Sequence, residues 1–131
     1  MLKLEIVTPE KKVLDESVDS VTVPTATGEI GVLPNHAPLI SALKPGILTY
    51  TAKGTTDKLV ISGGFVEVST DQVSILTDIA ERSDEIDAVS ARAEKDAAEK
   101  AMAGAGGSVE EFETEREKLE TAQARIQLAG R

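Results

Sequence analysis

The chain has 131 residues, with 14 Lys and Arg against 23 Asp and Glu, a net charge of −9, no Cys and 2% aromatics. That balance argues against binding nucleic acid or an anionic lipid surface, since both need basic patches. The lack of Cys excludes a disulfide framework, a thiolate nucleophile and cysteine-ligated zinc, and it fits a reducing compartment.

The opening stretch MLKLEIVTPEKK sets Leu2, Leu4 and Ile6 against Lys3 and Glu5, which predicts a strand. With acid so early it lacks the pattern of a signal peptide. Val21 with Val23, then Ile30 with Val32, continue the alternation. Residues 28–46, GEIGVLPNHAPLISALKPG, read as a loop-rich connection. Pro34, Pro38 and Pro45 fix φ there and remove three backbone donors. They also bias Leu33, Ala37 and Lys44 towards extended geometry. So stiff a segment predicts a rigid surface for contact with a partner. Gly46–Ala52 (GILTYTA) predicts another strand, closed by the turn signal Lys53-Gly54-Thr55-Thr56. Residues 57–62, 64–70 and 72–77 predict three more, and Gly63-Gly64 predicts a bulge or a close backbone approach. With aromatics only at Tyr50, Phe65 and Phe112, the core must come from Val, Ile, Leu and Ala. Short strands separated by such turns predict a β-sandwich or barrel over residues 1–83.

From Asp84 the period becomes helical, with Asp84, Glu85 and Asp87 suiting a helix N-terminus. Alanines follow at 88, 91, 93, 97, 98, 101 and 103, up to the break at residues 104–107. Ser108 and Glu111 predict a capping box for a second helix running to about Gln127. Phe112, Leu119 and Ile126 recur every seven residues, a narrow apolar stripe flanked by Val109 and Ala122. Residues 84–131 therefore predict a two-helix hairpin. Isolated helices of this length are marginal in water, so the hairpin should dock weakly on the sandwich or on a partner. Two readings stay open, a detachable switch and a permanently packed hairpin.

Positive evidence for catalysis is missing. His36 is the sole histidine, so a metal site would need Asp or Glu for every other ligand. No Gly-x-Ser-x-Gly elbow and no Gly-x-x-x-x-Gly-Lys-Ser/Thr phosphate loop occurs. No apolar run approaches the ~18 residues of a spanning helix, so membrane association would come through another protein. Catalytic residues, metal ligands and cofactors are all expected to be none.

The segments GEIGVLPNHAPLISALKPG and SGGFVEVSTDQVSILTDIAER, followed by EID opening an Ala-rich hairpin, resemble the epsilon subunit of the F-type ATP synthase, bacterial type. The resemblance covers nearly the whole chain. It implies a β-sandwich of about ten strands followed by an antiparallel two-helix hairpin. It implies a rotor subunit, without catalytic residues, that grips the gamma subunit and sits on the polar loops of the c-ring. The setting would be the cytoplasmic face of a bacterial plasma membrane, peripheral and without direct membrane insertion, a thylakoid fitting less well. Glu29 falls where the family's carboxylate faces the ring, and Leu33, Pro34, Asn35, His36 and Pro38 carry the family's turn. The hairpin, with Ile86, Asp87, Phe112, Leu119 and Ile126, would be a regulator. Folded it permits turnover; extended it meets the catalytic beta and alpha subunits and brakes ATP hydrolysis.

Some relatives bind ATP on the folded hairpin through an Ile-Asp-x-x-Arg-Ala motif and arginines of the second helix. Here the motif reads Ile86-Asp87-Ala88-Val89-Ser90-Ala91, and Thr121 replaces one second-helix arginine. Asp87 and Arg125 alone remain for a weak ATP site, so weak or absent binding is expected. Residues 108–131 carry four basic groups against six glutamates, which predicts a weak brake or one using the apolar stripe. The rival reading is a soluble sandwich adaptor whose helical arm self-associates, unrelated to ATP synthesis. A small hydrolase using His36 is a distant third.

Overall fold

The structure is a computed structural model that describes residues 2–104 and 109–129. Ten strands lead into two helices: β1 (Leu2–Val7), β2 (Lys12–Val18), β3 (Ser20–Thr25), β4 (Gly28–Val32), β5 (Leu39–Leu43), β6 (Gly46–Ala52), β7 (Thr55–Ile61), β8 (Gly64–Val68), β9 (Gln72–Leu76), β10 (Ala80–Arg82), α1 (Ala88–Gly104) and α2 (Val109–Ala129). Hydrogen bonding runs β10-β7-β6-β3-β5-β8-β9-β1-β2, with β4 on β3. The path narrows at β3–β5, where Thr25 opposite Leu43 is the one register pair. The chain folds over at that joint. β10, β7, β6, β3 and β4 form one layer, and β5, β8, β9, β1 and β2 the other.

Alternation explains the core. The first layer sends in Val21, Val23, Val32, Leu48, Tyr50, Leu59 and Ile61; the second sends in Leu2, Leu4, Ile6, Val66, Val68, Val73 and Ile75. Each is essentially removed from water, and complete burial of such a side chain is worth roughly 1.5–3 kcal/mol. Tyr50 is the one buried aromatic. Phe65 and Phe112 lie outside the core, 59% and 40% exposed.

Several expectations change. Residues 28–46 are less loop than strand: β4 and β5 bracket a short connection at residues 33–38. The turn after β6 is two residues long, not four. Lys53 and Gly54 both take positive φ, 53° and 78°, the hairpin geometry that matches strand twist. Thr55 and Thr56 already pair with β6. Strands β2, β5 and β10 escape an alternation search. β2 is a polar edge strand with only Leu14 and Val18 buried, β5 turns Ile40 outward, and β10 has three residues. Gly64 meets its expected close approach, since a Cβ there would sit 1.9 Å from the Leu76 carbonyl oxygen.

The first helix begins at Ala88 rather than Asp84. Residues 83–85 form a single 3-10 turn, and the Asp87 carboxylate accepts from the amides of Val89 (3.0 Å) and Ser90 (3.2 Å) as the N-cap. The expected capping box of α2 involves Ser108, which lies outside the described residues. The helices pack antiparallel through small side chains. Ala91 and Ala98 of α1 are buried, as are Ala122, Ala124, Arg125 and Leu128 of α2. The Phe112–Leu119–Ile126 stripe is not that seam: Phe112 is exposed, and Leu119 and Ile126 are half-buried.

Candidate functional site

The turn at residues 33–38 is rigid for identifiable reasons. Leu33 accepts from the His36 amide (3.2 Å), and Asn35 takes a φ of 68°. Proline followed by a residue with positive φ, closed by that bond, is the pattern of a type II turn. The Asn35 amide donates to the Thr70 carbonyl (2.9 Å), tying the turn to the β8–β9 connection. His36 Nδ1 lies 2.6 Å from the Ala37 carbonyl, so that nitrogen carries the proton and donates. A histidine bonded to its own turn supports structure; a catalytic pair would set a carboxylate there. Leu33 and Pro38 are exposed at the surface.

Glu29 stands apart from this turn. It is the second residue of β4, opposite Pro24, whereas Leu33 follows the far end of the strand. Four residue steps along the strand set them roughly 13 Å apart. Glu29 is exposed and shares a shallow cleft with Lys44, Ile47, Glu120, Gln123 and Gln127, beside α2. The Glu29 edge and the proline-fixed turn are therefore two separate places on the surface.

The register also builds an outward apolar face that sequence reading passed over. Ala42 stands opposite Phe65, and Phe65 opposite Leu76. Ile40 lies two residues along β5 on the same side. Ile40, Phe65 and Leu76 are 71%, 59% and 56% exposed. Phe65 and Leu76 line a concavity of about 450 Å³ with Val7, Thr8 and Pro9. Exposed large side chains gathered in one place mark an interaction surface. The available signal was Ile40 and Phe65 falling out of phase with the buried positions of their own strands.

The hairpin covers the opposite face. Ile47, Val60 and Glu81 form a row across β6, β7 and β10. Val60 is fully buried under Ala124 and Leu128, with Ile47 and Ile86 packed beside them. The run Leu59-Val60-Ile61 gave the signal, because a strand buried on both faces is apolar without alternation. Arg125 is 9% exposed; its Nε lies 2.8 Å from Glu81 Oε1, out of line for a hydrogen bond, and its Nη1 donates to Glu94 Oε1. At the joint before α1, Arg82 Nη1 donates to the Tyr50 hydroxyl (3.3 Å), and Glu85 accepts from the Arg82 amide (2.9 Å). That Tyr50 bond first, then the nearby Asp57 and Glu85, holds the Arg82 guanidinium above its ordinary value.

The two residues expected for a weak nucleotide site are both engaged within the protein. Asp87 is committed to capping α1, and Arg125 to two carboxylates. A cavity of about 600 Å³ between the helices is walled by Ala97, Ala98, Ala101 and Ala122, but Glu94, Glu115 and Glu117 crowd its rim beside Lys118. Polyphosphate would meet repulsion there. Among the described residues no group of three His, Asp or Glu side chains converges as a metal site requires, and no helix is long and apolar enough to cross a membrane.

Comparison with known proteins agrees with this architecture. The family model for the ATP synthase delta/epsilon chain beta-sandwich domain matches residues 1–83. The ATP synthase epsilon chain of Geobacter metallireducens is 43% identical over 130 residues, covering 99% of this chain and 94% of that one. That of Nitratidesulfovibrio vulgaris is 46% identical over 129 residues, covering 98% and 96%. A chain in the cryo-EM structure of Euglena gracilis mitochondrial ATP synthase, OSCP/F1/c-ring in rotational state 1, superposes with a TM-score of 0.81 at 28% identity, over 99% of this chain and 81% of that one. A chain from the Tetrahymena thermophila mitochondrial ATP synthase central stalk/c-ring shares the fold, with a TM-score of 0.67 at 15% identity over 98% and 96% of the two chains. With its sandwich matched from end to end and its relatives aligned along nearly the whole length, the chain belongs to the ATP synthase delta/epsilon family, as an epsilon chain.

Proposed function

We propose that this epsilon chain, a non-catalytic subunit of the ATP synthase central stalk, grips the gamma subunit through the open face of its sandwich. The observation that carries the reading is the exposed patch of Ile40, Phe65 and Leu76 on the side away from the hairpin. A rotor part must transmit torque without slipping. Burying these three side chains against a partner would supply a few kcal/mol at roughly 25 cal/mol per Å². The turn at residues 33–38, held by Pro34, Asn35 and Thr70, gives the grip a stiff margin. Glu29, on its separate edge, meets basic side chains in the polar loops of the c-ring. The complex then works at the cytoplasmic face of a bacterial plasma membrane. The family assignment leaves the unrelated-adaptor reading without support.

The hairpin is the regulatory domain, docked during turnover and extended towards the catalytic subunits when it brakes hydrolysis. Its acidic second helix makes that brake electrostatically weak, and the commitments of Asp87 and Arg125 leave ATP unbound. The test is co-purification of Phe65→Ser/Leu76→Ser with the gamma subunit. Wild-type chain is expected to co-purify. The double variant is expected to fold normally and lose at least tenfold in affinity, and undiminished binding would refute the grip.

A further inference from the structure

We infer that Arg125 is a three-way latch that holds the hairpin on the sandwich and its two helices on each other, with no ligand required. The inference rests on placement. Arg125 sits on α2 between Ala124 and Leu128, the two residues that cover Val60. Glu81 stands directly opposite Val60 on β10, so its side chain rises from the same face of the sheet. The apolar contact and the ion pair therefore form together or not at all. Glu94 reaches the same guanidinium from α1. One cation, nearly removed from water, thus joins three elements that no covalent link holds at this point.

The chemistry requires arginine. The carboxylates of Glu81 and Glu94 arrive at different nitrogens of the planar fork, Nε and Nη1. An ammonium is a single point charge and could not span both with the same spread. The apolar part of the docking is small: Val60, Ala124 and Leu128 are its buried members. Arg125 is the buried member, while Glu81 and Glu94 keep part of their side chains in water, so losing a carboxylate leaves the guanidinium short of a partner away from water and the state of the latch decides whether so slight a contact persists. The two ion pairs also separate two movements. Losing the Glu81 contact frees the hairpin from the sandwich as one body. Losing the Glu94 contact lets the helices part.

Spin-label distances on the isolated full-length chain test this, and its failure would leave the gamma-binding reading untouched. The chain has no Cys, so introduced cysteines are labelled cleanly. Thr55→Cys with Gln127→Cys reports sandwich to α2; Arg92→Cys with Gln127→Cys reports α1 to α2; all three positions are exposed. Wild-type chain should give one narrow distribution for each pair. Arg125→Gln should broaden both, lowering the ratio of docked to undocked chain roughly 10- to 100-fold. Glu81→Gln should broaden the sandwich–α2 distance alone, and Glu94→Gln the α1–α2 distance alone. Unchanged distributions in Arg125→Gln would overturn the latch. So would broadening in Arg125→Gln with both glutamate variants silent, because burial rather than the ion pairs would then hold the joint. If Arg125→Gln loses helix content by circular dichroism, the two glutamate variants decide the matter alone.

Discussion

The two outer faces of the sandwich are built alike, and only one of them is covered by the chain's own hairpin. Both present large apolar side chains on strands whose other side is core: Ile47 and Val60 on one face, Ile40, Phe65 and Leu76 on the other. The first face adds Glu81, and Arg125 of the chain's own hairpin covers it. The second adds a fixed turn and stays open. Hydrophobic exposure alone does not separate an internal docking platform from an external one. Both faces also carry a carboxylate beside the apolar side chains, Glu81 opposite Val60 and Glu67 opposite Ile40; the difference is that Glu81 is met by Arg125 of the chain's own hairpin.

The sharpest way to break the open face is from beneath. Gly64→Ala drives a Cβ into the Leu76 carbonyl at a φ of +113°, and should cost the sandwich about 3 kcal/mol in denaturant titration. Next comes the covered face. Val60→Ala removes two buried methyl groups and should weaken hairpin docking by roughly 1–2 kcal/mol. Hydrogen exchange in β7 and α2 is the readout, with β1 and β9 unmoved. Asp87→Ala deletes the N-cap and should cost α1 about 1 kcal/mol, seen as faster exchange at Val89 and Ser90 while the sandwich melts as before. Glu29→Ala, at an exposed edge, should weaken binding to the c-ring by only ~0–1 kcal/mol, and the deficit should shrink as salt is raised.

The smallest effect belongs to the β1–β2 edge, the outer margin of the open face, where Lys3 and Glu5 lie on the same side of β1 as Val7 opposite Leu76. Lys12, and with it Lys3, holds the Asp15 carboxyl below its ordinary 3.8. A lowered acid contributes above its unfolded value and loses that contribution as pH falls through the folded one. The slight stability difference between wild type and Asp15→Asn at pH 6 should therefore vanish in acid. Lys12, raised above 10.5 by Glu5 and Asp15, behaves oppositely and loses its contribution only as alkali passes the raised value.

Local chemistry made much of this molecule legible. Alternation located β1, β6, β8 and β9, and prolines marked the turn at residues 33–38. The pair Gly63-Gly64 announced the close approach to Leu76, and the change of period announced two helices. Heptad spacing at Phe112, Leu119 and Ile126 marked an apolar stripe but not the helix seam, because it counts large side chains, whereas these helices approach through alanines small enough to bring their backbones together. The helix start slipped from Asp84 to Ala88 because acidic residues favour a first turn without saying which of them caps it.

Residue order by itself determined the strands, the stiff turn, the hairpin and the family, since each depends on neighbours a few positions apart or on a motif read in line. Tertiary structure alone decided which apolar side chains face out, that Glu81 stands opposite Val60, and that Arg125 and Glu94 meet there. Those outcomes rest on strand register and helix docking between residues dozens of positions apart, where pairing geometry, not local preference, places the side chains.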